Sequence, residues 1–426
     1  MILWMLACNA TPKVADLDPA TCADCHPAQY QEWEGSMHAH AADDPVFLAL
    51  NEKAVATEGV PEDFCVRCHA PIAVELGETQ DGLNLESVPQ SMKGVGCTFC
   101  HQLEQATGPA NGAVSWVWDG VMRGALEDPL KNDAHKNAYG AALDRDAPES
   151  SQVCGSCHDV VLPSGLHLEQ TYVEWDASVF SEGLSRQSCG HCHLPSRPGL
   201  AAEVDGAPSR RIHDHSMPGV DVALVPWPDA ERQRDLIQEL LDKTLLAELC
   251  VVPEAAGSKV VLTLENVLAG HNFPSGASHD RRVWVEVLGF SDNTQVFSSG
   301  EVGDTQAVLD LQQADLVLLH DDARTASGQV SHGIVDAVSI SRRGLEAPRE
   351  LGLPHGRSYT WSVPGQVLDQ VDVRVRMRPV GLDLLMPLVE EGLLSPAEVQ
   401  AMPTFDLGST VLHWEGELGS CVGGRQ

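Results

Sequence analysis

Apolar positions follow three rhythms along the 426 residues. Between residues 20 and 220 they form short helical pieces separated by loops rich in Gly, Pro, Asp and Ser. Few of these runs could build a hydrophobic core by themselves. Residues 227–249 carry Leu236, Ile237, Leu240, Leu241, Leu245 and Leu249 at helical spacing, with Pro226 and Pro228 before and Pro253 after. This predicts one amphipathic connector helix. From 255 to 420 the runs Lys259–Leu264, Arg282–Phe290, Ala307–Leu311, Ser358–Val363, Val371–Met377 and Ser409–Trp414 alternate or are β-branched, with Gly, Asp and Pro between them. They predict a β-sandwich. A helical stretch near Leu384–Met402 interrupts it, and Ser395-Pro396-Ala397-Glu398 reads as a helix start within that stretch. The expected class is α+β. A signal-like remnant and linker at 1–19 precede a mostly α and loop module at 20–222, a connector helix at 223–250 and a β-sandwich-like domain with one inserted helix at 251–426.

Composition sharpens this picture. A hydrophobic fraction of 43% excludes wholesale disorder, yet aromatics supply only 5%, which is thin for a core of this size. The 61 acidic groups against 27 basic ones leave a net charge of -34, which would repel phosphates and makes nucleic acid a poor partner.

Cysteine placement carries the chemistry. Ten of the 13 cysteines fall in five copies of C-x-x-C-H: Cys22/Cys25/His26, Cys65/Cys68/His69, Cys97/Cys100/His101, Cys154/Cys157/His158 and Cys189/Cys192/His193. This spacing is the c-type haem attachment pattern. Two thiols on one turn form thioethers with the two vinyl groups of a haem, and the adjacent His becomes the proximal iron ligand. Paired C-x-x-C knuckles also bind zinc, but zinc gives no reason for a His after every second Cys. Thioredoxin-like dithiols are expected singly, not fivefold. Five haems in about 200 residues would themselves fill much of the core, which accounts for the scarcity of aromatics.

Three cysteines remain. Cys250 and Cys421 bracket the C-terminal region, where an extracytoplasmic protein could join them as a disulfide; the alternative is two separate thiols. Residues 1–7 are apolar and end at Cys8, like the end of a bacterial lipoprotein signal with Leu6-Ala7 before a lipid-modified Cys8. No Lys or Arg precedes that run. No other segment approaches the length of a transmembrane helix.

The flanks of the motifs resemble the bacterial multihaem c-type cytochromes related to hydroxylamine oxidoreductase and its tetrahaem electron acceptor. Trp33-Glu34-Gly35-Ser36-Met37-His38 is similar to that family's W-x-x-S-x-H element. The segment Gly124 to His135 resembles its G-P-L run leading to a distal His, with Ala125 in place of the usual Pro. Glu169-Gln170-Thr171-Tyr172, Glu174-Trp175 and Leu194-Pro195 follow in the expected order. His215-Ser216-Met217-Pro218-Gly219 resembles an H-x-x-x-G element, and Gly270-His271-Asn272-Phe273-Pro274-Ser275-Gly276 resembles the G-H-x-x-P-T-G turn opening the β-domain.

This resemblance implies haem attachment outside the cytoplasm, hence a periplasmic, outer-membrane or cell-surface protein. It also implies distal ligands among His38, His135, His213, His215 and His271, with His40 and His167 in reserve and Met217 as a thioether alternative. His279, His320, His332, His355 and His413 lie in the β-rich half and read as ordinary side chains. A haem with His on both faces passes electrons, whereas one lacking a sixth ligand can bind a small substrate. The abundance of spare His favours electron transfer, with no catalytic residues. Expected partners are other redox proteins: a quinol dehydrogenase, small cytochromes or an outer-membrane conduit. The alternative is an oxidoreductase acting on a small nitrogen or sulfur compound. No C-x-x-C-K variant occurs, so the lysine-ligated haem of pentahaem nitrite reductases is absent. The acidic surface would steer a basic partner, or serve solubility or salt adaptation, since the chain has seven lysines. The β-domain is expected to act as a docking module or as a cap.

Overall fold

The structure, a computed structural model, describes residues 17–57, 59–331 and 336–424. Cys8, the apolar segment before it, and His332 lie outside the described residues. The chain divides into two compact units. The first takes the chain up to Val160, with Gln187–Met217 and Trp227–Asp229; the second takes Val161–Arg186, Pro218–Pro226 and the chain from Ala230 onward. Segments 161–186 and 218–222, expected within the first module, therefore belong to the β-rich unit, as do 223–226, expected in the connector. Among the described residues, no helix is long and apolar enough to cross a membrane.

The first unit is built of short helices. Pro27–Glu34, Pro45–Val55 and Pro71–Glu75 each begin on a proline, whose fixed φ and missing N–H suit the first turn. Asp44 caps the second of these by accepting the Phe47 N–H at 2.8 Å. Four of the five C-x-x-C-H motifs end a helix: Val66–His69, Cys97–His101, Glu149–His158 and Cys189–His193. The first motif differs, because its helix Ala20–Ala23 stops before Cys25. Small ribbons pair Leu103–Ala106 with Val114–Trp116, Val121–Gly124 with Lys136–Tyr139, and Ser196–Leu200 with Ser209–His213. Apolar burial concentrates in one cluster around the second and third motifs, where Leu17, Phe47, Ile72, Met92, Phe99 and Leu103 meet.

The second unit is a two-sheet structure of the expected α+β kind. Its strands are β1 Leu245–Glu254, β2 Gly257–Asn266, β3 Arg282–Ser291, β4 Thr294–Ser299, β5 Arg357–Pro364, β6 Gln370–Arg378, β7 Phe405–Asp406, β8 Leu412–Glu415 and β9 Ser420–Gly423. One sheet runs β5-β2-β1-β9; the other runs β4-β3-β6-β7, with β8 also on β6. Alternate residues turn inward: Ala247, Leu249 and Val251 from β1, Val260, Leu262 and Leu264 from β2, and Val371, Val373 and Val375 from β6 are all buried. The Cys250–Cys421 disulfide forms between facing positions of β1 and β9. The inserted helical stretch is a pair, Leu382–Glu390 and Pro396–Ala401, and the second starts at a reciprocal Ser395/Glu398 capping box.

Two expected elements differ. The connector helix spans only Ala230–Thr244, and its chain continues without a break into β1. Leu245 and Leu249 satisfy helical spacing, but with Ala247 and Val251 they also satisfy period two, and strand pairing on β2 decides between the two. Ala307–Leu311 is not a strand; Val308–Leu311 forms a 3₁₀ turn. Its period of three points Val308 and Leu311 together onto Trp284. Likewise, only Leu412–Glu415 of the last expected run is a strand, after a 3₁₀ turn at Gly408–Thr410.

Candidate haem sites

The five motifs come together in the first unit. The Cys22 side chain lies against that of Cys97, which brings the first motif to the third. Cys157 lies against Cys68, and Cys154 against Cys189, so the fourth motif is close to both the second and the fifth. Cys100 lies near Cys157, which brings the third beside the fourth.

Cys25 departs furthest from the common pattern. It shares a turn with Cys22, as the spacing requires, but Cys22 lies within the helix and Cys25 beyond its end. The Cys25 N–H donates to the Cys22 carbonyl at 3.2 Å, and the His26 N–H donates to the same oxygen at 2.8 Å. Pro27 is the physical reason. Its ring disfavours helical geometry at the residue before it, and His26 accordingly sits at φ -124°, ψ 50°. The break leaves the Cys25 carbonyl free of the helix, and it accepts the Glu203 N–H at 2.7 Å. Half-buried Cys25 is thus held by a loop contact from far along the chain rather than by helical bonds.

Proximal histidines are oriented through Nδ1. His26 Nδ1 lies 2.6 Å from the Ala201 carbonyl, His69 Nδ1 2.8 Å from that of Ala41, and His101 Nδ1 2.5 Å from that of Arg123. Nδ1 donating to a carbonyl fixes the tautomer and presents Nε2 as the metal-binding nitrogen. Phe47 stacks on the His69 ring at 4.0 Å and fixes its plane.

Three predicted distal histidines face proximal ones. Ring centroids are 6.3 Å apart for His26 and His135, 6.1 Å for His158 and His38, and 6.5 Å for His101 and His215. Two imidazoles bound to one metal at the roughly 2 Å length of metal–histidine bonds set their centres about 6 Å apart. The planes lie 28° and 22° apart in the first and third pairs and 80° apart in the second.

Local structure explains each placement. Ser36 caps the helix Met37–His40, which carries His38. The Val95 N–H donates to the His38 carbonyl at 2.8 Å. Gly94 permits this approach: its φ is +65°, and a Cβ there would lie 2.5 Å from two carbonyl oxygens. His135 is set by Asn132, whose side chain accepts the Ala134 and His135 N–H groups, each at 3.0 Å. His215 places Nδ1 2.9 Å from the His213 carbonyl. Met217 sits just beyond it in a left-handed conformation, φ 42°. Gly94, Asn132 and Glu32, which accepts the His215 N–H, were not singled out from sequence. A glycine two residues before a motif's N-cap, and an Asn three residues before a His, are the signals that were present.

The other candidates part ways. His213 ends the ribbon strand Ser209–His213, and its Nε2 is buried with no hydrogen-bond partner. His40 is engaged otherwise: its ring stacks on Trp227 at 4.1 Å, and Nε2 bonds the Glu34 carbonyl at 2.9 Å. His271 lies in the second unit with Nδ1 2.8 Å from the Asn272 carbonyl, and exposed His167 starts a strand there. His355 and His413 serve that unit's own structure, bonding the Asn266 carbonyl and Asp372.

The residues fit haem better than zinc. Burial holds the imidazoles neutral, the form that binds iron: His38 is lowered to about 3 and His215 to about 4. Burial also pushes the Cys65 thiol up to about 11 and that of Cys100 to about 12, whereas neighbouring side chains lower Cys22, Cys157 and Cys189. Among the described residues, no three His, Cys, Asp or Glu side chains converge as a metal cage. The buried, unpartnered Nδ1 of His38 and Nε2 of His213 mark polar positions that protein groups leave open.

Five C-x-x-C-H motifs and three facing histidine pairs are the arrangement that covalent attachment of several haems requires, and comparison with known proteins gives two likenesses. Residues 21–102 match the family profile of cytochrome c554 and c-prime. The fold is similar to that of a penta-heme cytochrome c552 from Thermochromatium tepidum, with a TM-score of 0.64 at 18% identity, over 93% of this chain and 99% of that one. No curated protein matches the chain.

Proposed function

We propose that this chain is an extracytoplasmic pentahaem c-type cytochrome that carries electrons between redox partners through mostly bis-histidine haems. The observation that carries the reading is the set of three opposed histidine pairs, 6.1 to 6.5 Å apart. A haem iron bound there supplies one-electron chemistry between ferric and ferrous states. The chain's own residues hold the porphyrins by ten thiols, orient the imidazoles through backbone carbonyls and keep water from the ligands by burial. Linked motifs, first to third to fourth and from there to second and fifth, support stepwise transfer. Quinol dehydrogenases, small cytochromes or an outer-membrane conduit are the proposed partners, with membrane attachment through a lipidated Cys8.

Mass measurement tests the stoichiometry, with five haem additions expected. Electron paramagnetic resonance tests the ligation. The nearly parallel pairs should give rhombic low-spin ferric signals, and the nearly perpendicular His38–His158 pair a highly anisotropic one. Replacing His135 or His38 with Ala should convert one haem in five to high spin and leave the rest. A high-spin signal in the intact protein would overturn the pure carrier and favour catalysis on a small nitrogen or sulfur compound.

A further inference from the structure

Glu32 sits where two haem sites of the first unit meet. It belongs to the helix Pro27–Glu34, which starts directly after His26, and its side chain is only 8% exposed. Oε1 takes the Nη2 donor of Arg197. Oε2 accepts the backbone N–H of His215 at 3.0 Å. Arg197 also reaches Asp214 at 3.4 Å, and Asp214 turns the chain by accepting the Ser216 N–H at 2.7 Å. The His215 Nδ1 is 3.9 Å from Glu32 and bonds the His213 carbonyl instead, so the carboxylate grips the ligand's backbone and leaves its ring alone.

We infer that Glu32 is a positioning residue that locks His215 opposite His101 and, together with Arg197, sets the reduction potential of the haem between them. This rests on the reading above that those two histidines ligate one iron. The ribbon ends at His213; beyond it the Asp214 N–H still bonds the Pro195 carbonyl at 3.0 Å, and the next two amides, of His215 and Ser216, go to the side chains of Glu32 and Asp214. The Glu32 carboxylate is buried while its Arg197 partner is 38% exposed, so the carboxylate bears most of the desolvation cost of the pair, which fits a role in specifying geometry and local charge. Its two members act on the iron with opposite sign. The carboxylate stabilises the more positive ferric state; the guanidinium opposes it.

Redox titration of the holoprotein, followed by the low-spin signal of that haem, tests this. Glu32→Gln retains an acceptor for the His215 N–H and loses the charge, so the midpoint should rise. Arg197→Gln should lower it. Each shift should be on the order of tenfold in the reduction equilibrium, about 59 mV for one electron. A residue that merely props up the fold would move both variants in the same direction. Shifts of the same sign, or no shift in either variant, overturn the inference. His215→Ala serves as control. If it leaves all five haem signals unchanged, the ligand reading has failed; if it alters one haem while both charge variants do nothing, the positioning role alone has failed.

Discussion

The two units solve the problem of burial differently. The second closes its core with its own side chains: Leu249, Val260, Leu262, Val285 and Val375 are fully inaccessible, and long antiparallel registers hold them in place. Where it buries charge, it does so in networks. Arg376 and Arg378 lie 5.5 and 5.4 Å from the Trp284 ring, and Arg376 also pairs with Glu286 and Asp406. The first unit has helices of four to eleven residues, and it leaves the buried Nδ1 of His38 and Nε2 of His213 without a hydrogen bond. Its side chains are arranged around prosthetic groups. On the proposed haem reading, its stability and its chemistry would depend on the same bound groups, whereas the β-rich unit would separate the two.

The largest expected effect breaks the comparison most directly. In a chain produced without haem attachment, backbone amides of the first unit should exchange freely with solvent, while those of Leu249, Val260, Leu262 and Val375 stay protected. Protected first-unit amides in the haem-free chain would show that its side chains suffice.

The disulfide comes next. Replacing Cys250 and Cys421 with Ser should destabilise the second unit by about 2–5 kcal/mol in denaturant titration, with haem absorbance unchanged. A change in absorbance at equal haem content would deny the units their separate roles.

Protonation sharpens the contrast further. Burial pushes Glu174, in the second unit, up to about 7, with Ser275 and Arg342 opposing the shift. The folded chain thus holds a proton that the unfolded chain has released. The stability this adds is complete below the ordinary glutamate value near 4.3 and declines until pH reaches about 7, by roughly 3 kcal/mol at most. Melting curves of Glu174→Gln should lose that slope; an unchanged slope would assign it to another group. The smallest effect is local. Ser395→Ala removes the capping box and should cost about 1 kcal/mol in the second unit, read as a modest drop in its melting temperature.

Much of this was legible in the chain. C-x-x-C-H names ten thiols and five ligands because thioether chemistry demands adjacency, and adjacency is written in sequence. Ser395-Pro396-Ala397-Glu398 was equally plain, since a capping box is complete within four residues. The strands Arg357–Pro364 and Gln370–Arg378 showed their period of two. Leu245–Glu254 did not, because leucines at 245 and 249 fit a helix and a strand equally, and only the partner strand chooses. The turn at Val308–Leu311 needed Trp284 as its template. The setting of Cys25 was half legible: Pro27 announces the break after the motif, but the Glu203 amide that takes over is remote in sequence.

The distal ligands draw the same line. Sequence alone determined which residues could anchor haem, and the proximal histidines with them, because those constraints act across a single turn. Sequence also shortlisted His38, His135 and His215 without pairing them. Only tertiary structure decided that His135 opposes His26, that His38 opposes His158 and that His215 opposes His101. Those partners lie more than a hundred residues apart along the chain. The approach of each depends on contacts that no local pattern encodes: the bare backbone of Gly94, the side chain of Asn132 and the buried carboxylate of Glu32.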